Sequence, residues 1–133
     1  MATRVREKAK ARLENKDTRP YAVAKSIRIS PYKVRSVLDV IRNKSYREAV
    51  ALLKSLNKSS CTPILKVVNS AAANAENNLG MNKDTLYVAE CFADEGKTLK
   101  RYQPVSKGRG HAILKRTSHI TVILDVKKLE GEV

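Results

Sequence analysis

The residues with the clearest chemistry lie between Glu95 and Asp125, an interval that holds Lys97, Lys100, Arg101, Lys107, Arg109, Lys115 and Arg116 and no acid. Lysine and arginine at this density meet phosphate oxygens, and arginine can fork onto two of them or stack on a base. Tyr102 and His111 add stacking faces of the kind that unpaired RNA bases use. Pro104 removes a backbone donor near the middle of the interval. Gly108 and Gly110, flanking Arg109, let the backbone bend or approach a surface closely. With a phosphate on each of the seven cations, the log-log salt slope of binding is roughly −5 to −6. The pattern calls for a polyanion as ligand.

The same stretch does not build an enzyme. Its acids and bases are Asp94, Glu95, His111 and His119, but adjacent carboxylates on a strand point to opposite faces and neither histidine has a nucleophile at a working distance in sequence. His119 reads as a strand or RNA-facing residue. Gly108-Arg109-Gly110 is too short to count as a phosphate-loop fingerprint. Cys61 and Cys91 have no Cys-x-x-Cys or Cys-His neighbour at ligand spacing, so they read as reduced, packed thiols. No metal site and no cofactor is expected.

Two strand-like arms must carry the basic interval. Leu86 to Ala93 leads out and His119 to Val126 leads back, both rich in β-branched or aromatic residues. The alternating pattern stops at Asp94-Glu95-Gly96 and resumes at Thr117-Ser118. About twenty residues folded back on themselves, at roughly 3.3 Å per residue, reach about 30 Å from a body. Segments of that length without a core of their own are usually functional or disordered. The arm, about residues 94–118, is therefore expected to project and to be ordered by its ligand.

The remainder supplies the body. Pro20 opens a first strand, with Tyr21, Val23, Lys25, Ile27 and Ile29 on one face and Ala22, Ala24, Ser26 and Arg28 on the other. Ser30-Pro31 starts a helix whose apolar stripe is Val34, Val37, Leu38 and Ile41, leaving Lys33, Arg35 and Arg42 outward, for phosphates or solvent. Ser45-Tyr46-Arg47-Glu48 is a capping box, and Tyr46, Ala49, Val50 and Leu53 form the next helical face. Thr62-Pro63 opens a third helix with Ile64, Val67, Val68, Ala71, Ala72, Ala75 and Leu79 on one side and Gly80 as its stop. The order strand, three helices, two strands predicts an α+β fold. Three helices pack on a small three-stranded antiparallel sheet, and a long protruding β-hairpin leaves it. Residues 1–19 read as a basic N-terminal tail, 20–128 as one domain including the arm, and 129–133 as a C-terminal tail.

Composition agrees with this division. The chain has 133 residues, 42% of them apolar, so it can bury a core. Its 27 Lys and Arg against 13 Asp and Glu leave a formal +14, which repels itself unless a polyanion neutralises it. Nucleic acid is the expected partner. No apolar run approaches a membrane span and no amphipathic basic segment adjoins an apolar anchor, so no membrane partner is expected.

Three runs carry a family resemblance. Asp94-Glu95-Gly96, Lys100-Arg101, Pro104, Lys107-Gly108-Arg109, Ile113 and Lys115 to Val122 form one. Ile29 to Arg35 and Asn69 to Glu76 form the others. Together they resemble the bacterial large-subunit ribosomal protein L twenty-two family over roughly Tyr21 to Val126. The resemblance implies a cytoplasmic ribosomal constituent that binds large-subunit ribosomal RNA, supports subunit assembly, contacts neighbouring ribosomal proteins and is not a homo-oligomer. It also implies a hairpin that threads inward, its tip lining the nascent-polypeptide exit tunnel near the constriction where macrolides act.

On this basis the RNA-binding set is Lys25, Arg28, Lys33, Arg35, Lys97, Lys100, Arg101, Lys107, Arg109, His111, Lys115, Arg116 and His119. The tunnel-facing tip is Tyr102, Gln103, Pro104, Val105, Ser106, Gly108 and Gly110. Where the family commonly has Pro-Arg-Ala at the apex, this chain has Pro104-Val105-Ser106 and one cation fewer. The competing reading is a free-standing regulator that lays a β-ribbon in a nucleic-acid groove, which requires a soluble dimer.

Overall fold

A computed structural model describes residues 2–126; the C-terminal tail expected at 129–133 lies outside the described residues, as do 127 and 128. The core is built on strand β5 (Ser118–Val126), which lies between β1 (Tyr21–Ile27) and β2 (Leu86–Glu95), antiparallel to both. Side chains alternate along β5, so Ser118, Ile120, Val122 and Leu124 are buried while the residues between them are half-exposed. Ala22 on one side and Cys91 on the other pair with Val122 and share its inward face. Helix α4 (Cys61–Leu79) covers the β1 and β5 side of that face, and α2 (Pro31–Ile41) covers the β2 side. Ala71, Ala72 and Ala75 are fully buried, and their small side chains let α4 sit close to the strands. Leu38, Ile41 and Ile64 fill the remaining interior.

Local signals explain most boundaries. Pro31 occupies the first position of α2, where its missing N–H is not needed. The capping box at α3 (Tyr46–Ser55) is complete, with Ser45 Oγ accepting from Glu48 N–H and the Glu48 carboxylate accepting from Ser45 N–H. Gly80 closes α4 in the left-handed region at φ 63°, and the Met81 N–H returns to Ala75 O.

Several boundaries differ from the sequence reading. Helix α4 begins at Cys61, with Ser60 at the N-cap position but its hydroxyl on Lys33 O, so Thr62 and Pro63 lie inside its first turn. Pro63 is tolerated there because first-turn amides have no intrahelical partner. Leu79 is exposed at the helix end rather than packed. Strand β1 ends at Ile27 instead of Ile29, because Ser26 turns to φ 57° and the pairing with β5 slips between Ala24 and Ile27.

The largest difference is at the N-terminus. The body has the three expected helices, but a fourth, α1 (Ala2–Glu14), stands where a tail is expected. Its residues from Thr3 onward are exposed, so no apolar stripe marks it in the sequence. Alanine, arginine, lysine, glutamate and leucine supply its helix preference, and Lys10 with Glu14 forms an i, i+4 pair at 3.9 Å.

The two sheet edges are treated differently. At β2, Asn43 N–H donates to Val88 O and Val88 N–H donates to Lys44 O. Further along, Arg42 Nη2 donates to Cys91 O at 3.3 Å, and Arg35 donates to Ala93 O through Nε at 3.0 Å and Nη2 at 2.7 Å. Outward carbonyls of that edge are thus capped by α2, which blocks strand addition. At the β1 edge, Asn74 Nδ2 donates to Tyr21 O at 2.9 Å. Cys61 and Cys91 are both buried and free; burial pushes the Cys91 thiol up, and its Sγ donates to Leu38 O at 3.5 Å.

Candidate nucleic-acid interface

The basic interval folds as a second sheet of two strands, β3 (Leu99–Pro104) paired antiparallel with β4 (Gly110–Lys115). The register sets Leu99 against Lys115, Arg101 against Ile113 and Gln103 against His111 on one face. Lys100 with Leu114, Tyr102 with Ala112, and Pro104 with Gly110 share the other. Cationic and apolar side chains therefore mix on both faces, and no residue of either strand is buried. A period-two pattern with no apolar side cannot be recognised as a strand from sequence, although the ladder is regular.

The base of the ribbon is closed by backbone. Gly96 N–H donates to Thr117 O at 2.8 Å, and Thr117 Oγ1 donates to Lys97 O at 2.7 Å. A Cβ at Gly96 would collide with Thr117 Oγ1, so only glycine fits the crossing from β2 into the arm. At the other end Val105 N–H donates to Arg109 O at 2.9 Å, closing a tight turn over Ser106–Gly108. Lys107 and Gly108 both take positive φ there, at 58° and 69°. Tyr102 leans over Gly110, where a Cβ would come within 3.1 Å of its ring. All seven cations from Lys97 to Arg116 are exposed. Among the described residues only Arg116 has a carboxylate within 4.0 Å, Glu95 at 3.9 Å.

The candidates outside the ribbon fall into two groups. Arg28 Nη1 donates to Arg116 O at 2.6 Å, and His119 Nδ1 accepts the Ser26 N–H at 2.9 Å, so both gather at the ribbon base. A neutral His119 then carries its proton on Nε2. Lys25 is exposed on β1. Lys33 is exposed on α2, and Arg35, on the same helix, uses its guanidinium on Ala93 O at the far edge of the sheet. One group of cations lies outside the candidate set: Arg4, Lys8 and Arg12 recur every four residues and share a face of α1. That spacing is visible in the sequence, but it carries weight only once the segment is known to be helical.

Asp17 and Glu90 are held by a shared partner. Asp17 accepts from Arg19, whose guanidinium holds the carboxyl below the usual carboxylate range. Arg19 reaches Glu90 Oε1 as well, at 2.8 Å, and the two carboxylates raise its own proton affinity. No group of three or more metal-ligating side chains occurs among the described residues, and no described helix is long and apolar enough to cross a membrane.

Comparison with known proteins agrees with this architecture. The family model for ribosomal protein L22p/L17e matches residues 22–125, which spans the sheet, the body helices and the whole ribbon. Large ribosomal subunit protein uL22 of Staphylococcus aureus strain JH9 is 55% identical over 111 residues, covering 84% of this chain and 95% of that relative. The proteins of the same name from strains Newman and USA300 match to the same extent. A match that runs through both the packed body and the unburied basic ribbon leaves one assignment: the chain belongs to the ribosomal protein L22p/L17e family.

Proposed function

We propose that the chain is a structural constituent of the large ribosomal subunit that binds large-subunit ribosomal RNA mainly through the ribbon. The observation that carries this reading is the ribbon itself, with seven exposed cations and only one carboxylate close to any of them. It has no buried side chain to order it, so its geometry is best stabilised by an external polyanion. Lys97, Lys100, Arg101, Lys107, Arg109, Lys115 and Arg116 take phosphates; His111 stacks or donates beside them. Arg28 and His119 extend the contact at the ribbon base, with Lys25, Lys33 and Arg35 on the body. The exposed cations of α1 add a second arm.

Within this reading the ribbon protrudes into the subunit and its turn, Tyr102 to Gly110, faces the nascent chain in the exit tunnel. Val105 is half-exposed there and presents an apolar surface where the family commonly has a cation. Neighbouring ribosomal proteins contact the body, and the chain acts as one copy without enzymatic activity. The free-standing regulator requires a dimer, and family membership over residues 22–125 favours the ribosomal reading instead. In a gradient-fractionated lysate at moderate salt the protein is expected to co-sediment with large subunits. Recovery only at the top of the gradient would overturn the proposal.

A further inference from the structure

The helices cover one face of the three-stranded sheet and leave the other open. Pairing register puts Tyr21, Ile123 and Glu90 in one row across that open face, and Val23, Thr121 and Phe92 in the next. Tyr21 is 55% exposed, and Val23 and Phe92 are each 42% exposed. Half-buried Ile123 and Thr121 of β5 lie between these edge-strand side chains, and exposed apolar residues gathered on one sheet face mark an interaction surface.

This face carries carboxylates as well as cations. In a chain of 27 cations and 13 acids, it holds Glu90, Asp94 and Asp125, with Arg19 on Glu90, Lys25 at the β1 edge and His119 opposite Asp94. Among the described residues no cation lies within 4.0 Å of Asp94, and Asp125 Oδ1 accepts the N–H of its neighbour Val126. Phosphates brought to its middle would meet these carboxylates, while Lys25 at one edge and His119 at the ribbon base stay open to RNA. The chain itself shows what the face accepts, since the Arg19 guanidinium already lies on Glu90 at 2.8 Å.

We propose that the open sheet face, with Tyr21 and Val23 on one side of β5, Phe92 on the other and Glu90, Asp94 and Asp125 beside them, docks a basic polypeptide segment of another ribosomal protein. Apolar side chains of that segment cover the aromatic rows, and its Lys or Arg residues pair with Asp94 and Asp125. The inference rests on the ribosomal reading above.

The test is photo-crosslinking in intact large subunits that carry p-benzoyl-phenylalanine in place of Phe92 or, separately, of Val23. Both side chains point outward, so neither replacement disturbs the core. The expected result is an adduct to a protein whose crosslinked peptide is rich in Lys and Arg, with its yield reduced several-fold by Asp94→Lys. An adduct to RNA, an adduct to a peptide without basic residues, or no adduct from chains recovered in the subunit would overturn the docking surface while leaving the ribosomal reading intact. Failure of the wild-type chain to enter the subunit would overturn both.

Discussion

Arg35 shows how a residue chosen for one role carries another. Its outward position on α2 makes it a candidate phosphate ligand in the sequence, yet its guanidinium donates twice to the Ala93 carbonyl at the β2 edge. Arg35→Met keeps the stem and removes the donors, leaving that carbonyl unpaired. A loss of about 1–2 kcal/mol in urea denaturation is expected, and unchanged stability would return Arg35 wholly to RNA contact. The residue types were legible from sequence because each side chain's chemistry is intrinsic. Their partners were not, since Arg28 meets Arg116 and His119 meets Ser26 across 88 and 93 residues of chain.

Among the elements, the three body helices could be read from caps and apolar periods because they bury one face each. The starts of α2 and α3 fall where their caps put them, and only that of α4 slipped, where Ser60 and Thr62 compete. The projecting hairpin is expected from its acid-free basic interval, but the bounds of β3 and β4 and the helix α1 are not, for a common reason: none of them buries an apolar face, so none leaves a period. Gly96 governs the ribbon's base. Gly96→Ala drives a Cβ into Thr117 Oγ1, so the ribbon must shift or the Thr117 bond to Lys97 O must break. A destabilisation of about 1–3 kcal/mol is expected, read in thermal or urea unfolding; an unchanged midpoint would show that the crossing is not tight.

A two-stranded ribbon without a packed face is marginal by itself. In the isolated protein, amide exchange from Lys97 to Arg116 is therefore expected to be fast while α2, α4 and β5 are protected, and addition of large-subunit ribosomal RNA should slow it. Strong protection without RNA would mean that the ladder between β3 and β4 holds on its own.

For the whole molecule, the +14 charge could be read directly as a need for a polyanion, and its distribution could not. The structure divides the charge between a ribbon where one of seven cations, Arg116, has a carboxylate close by and an open sheet face that mixes acids with Arg19, Lys25 and His119. We propose phosphate for the first and a basic protein segment for the second. The central claim is that the ribbon is the principal phosphate-binding element.

It is tested most directly by titrating large-subunit ribosomal RNA with the wild-type chain and with a variant in which Lys97, Lys100, Arg101, Lys107, Arg109, Lys115 and Arg116 are all replaced by Gln. Affinities are measured across a range of salt concentrations. The variant should keep the wild-type unfolding midpoint, because none of these residues is in the core. Its log-log salt slope should be shallower by roughly 5 to 6. An equal slope for the two proteins would contradict the account and place the phosphate contacts elsewhere on the chain.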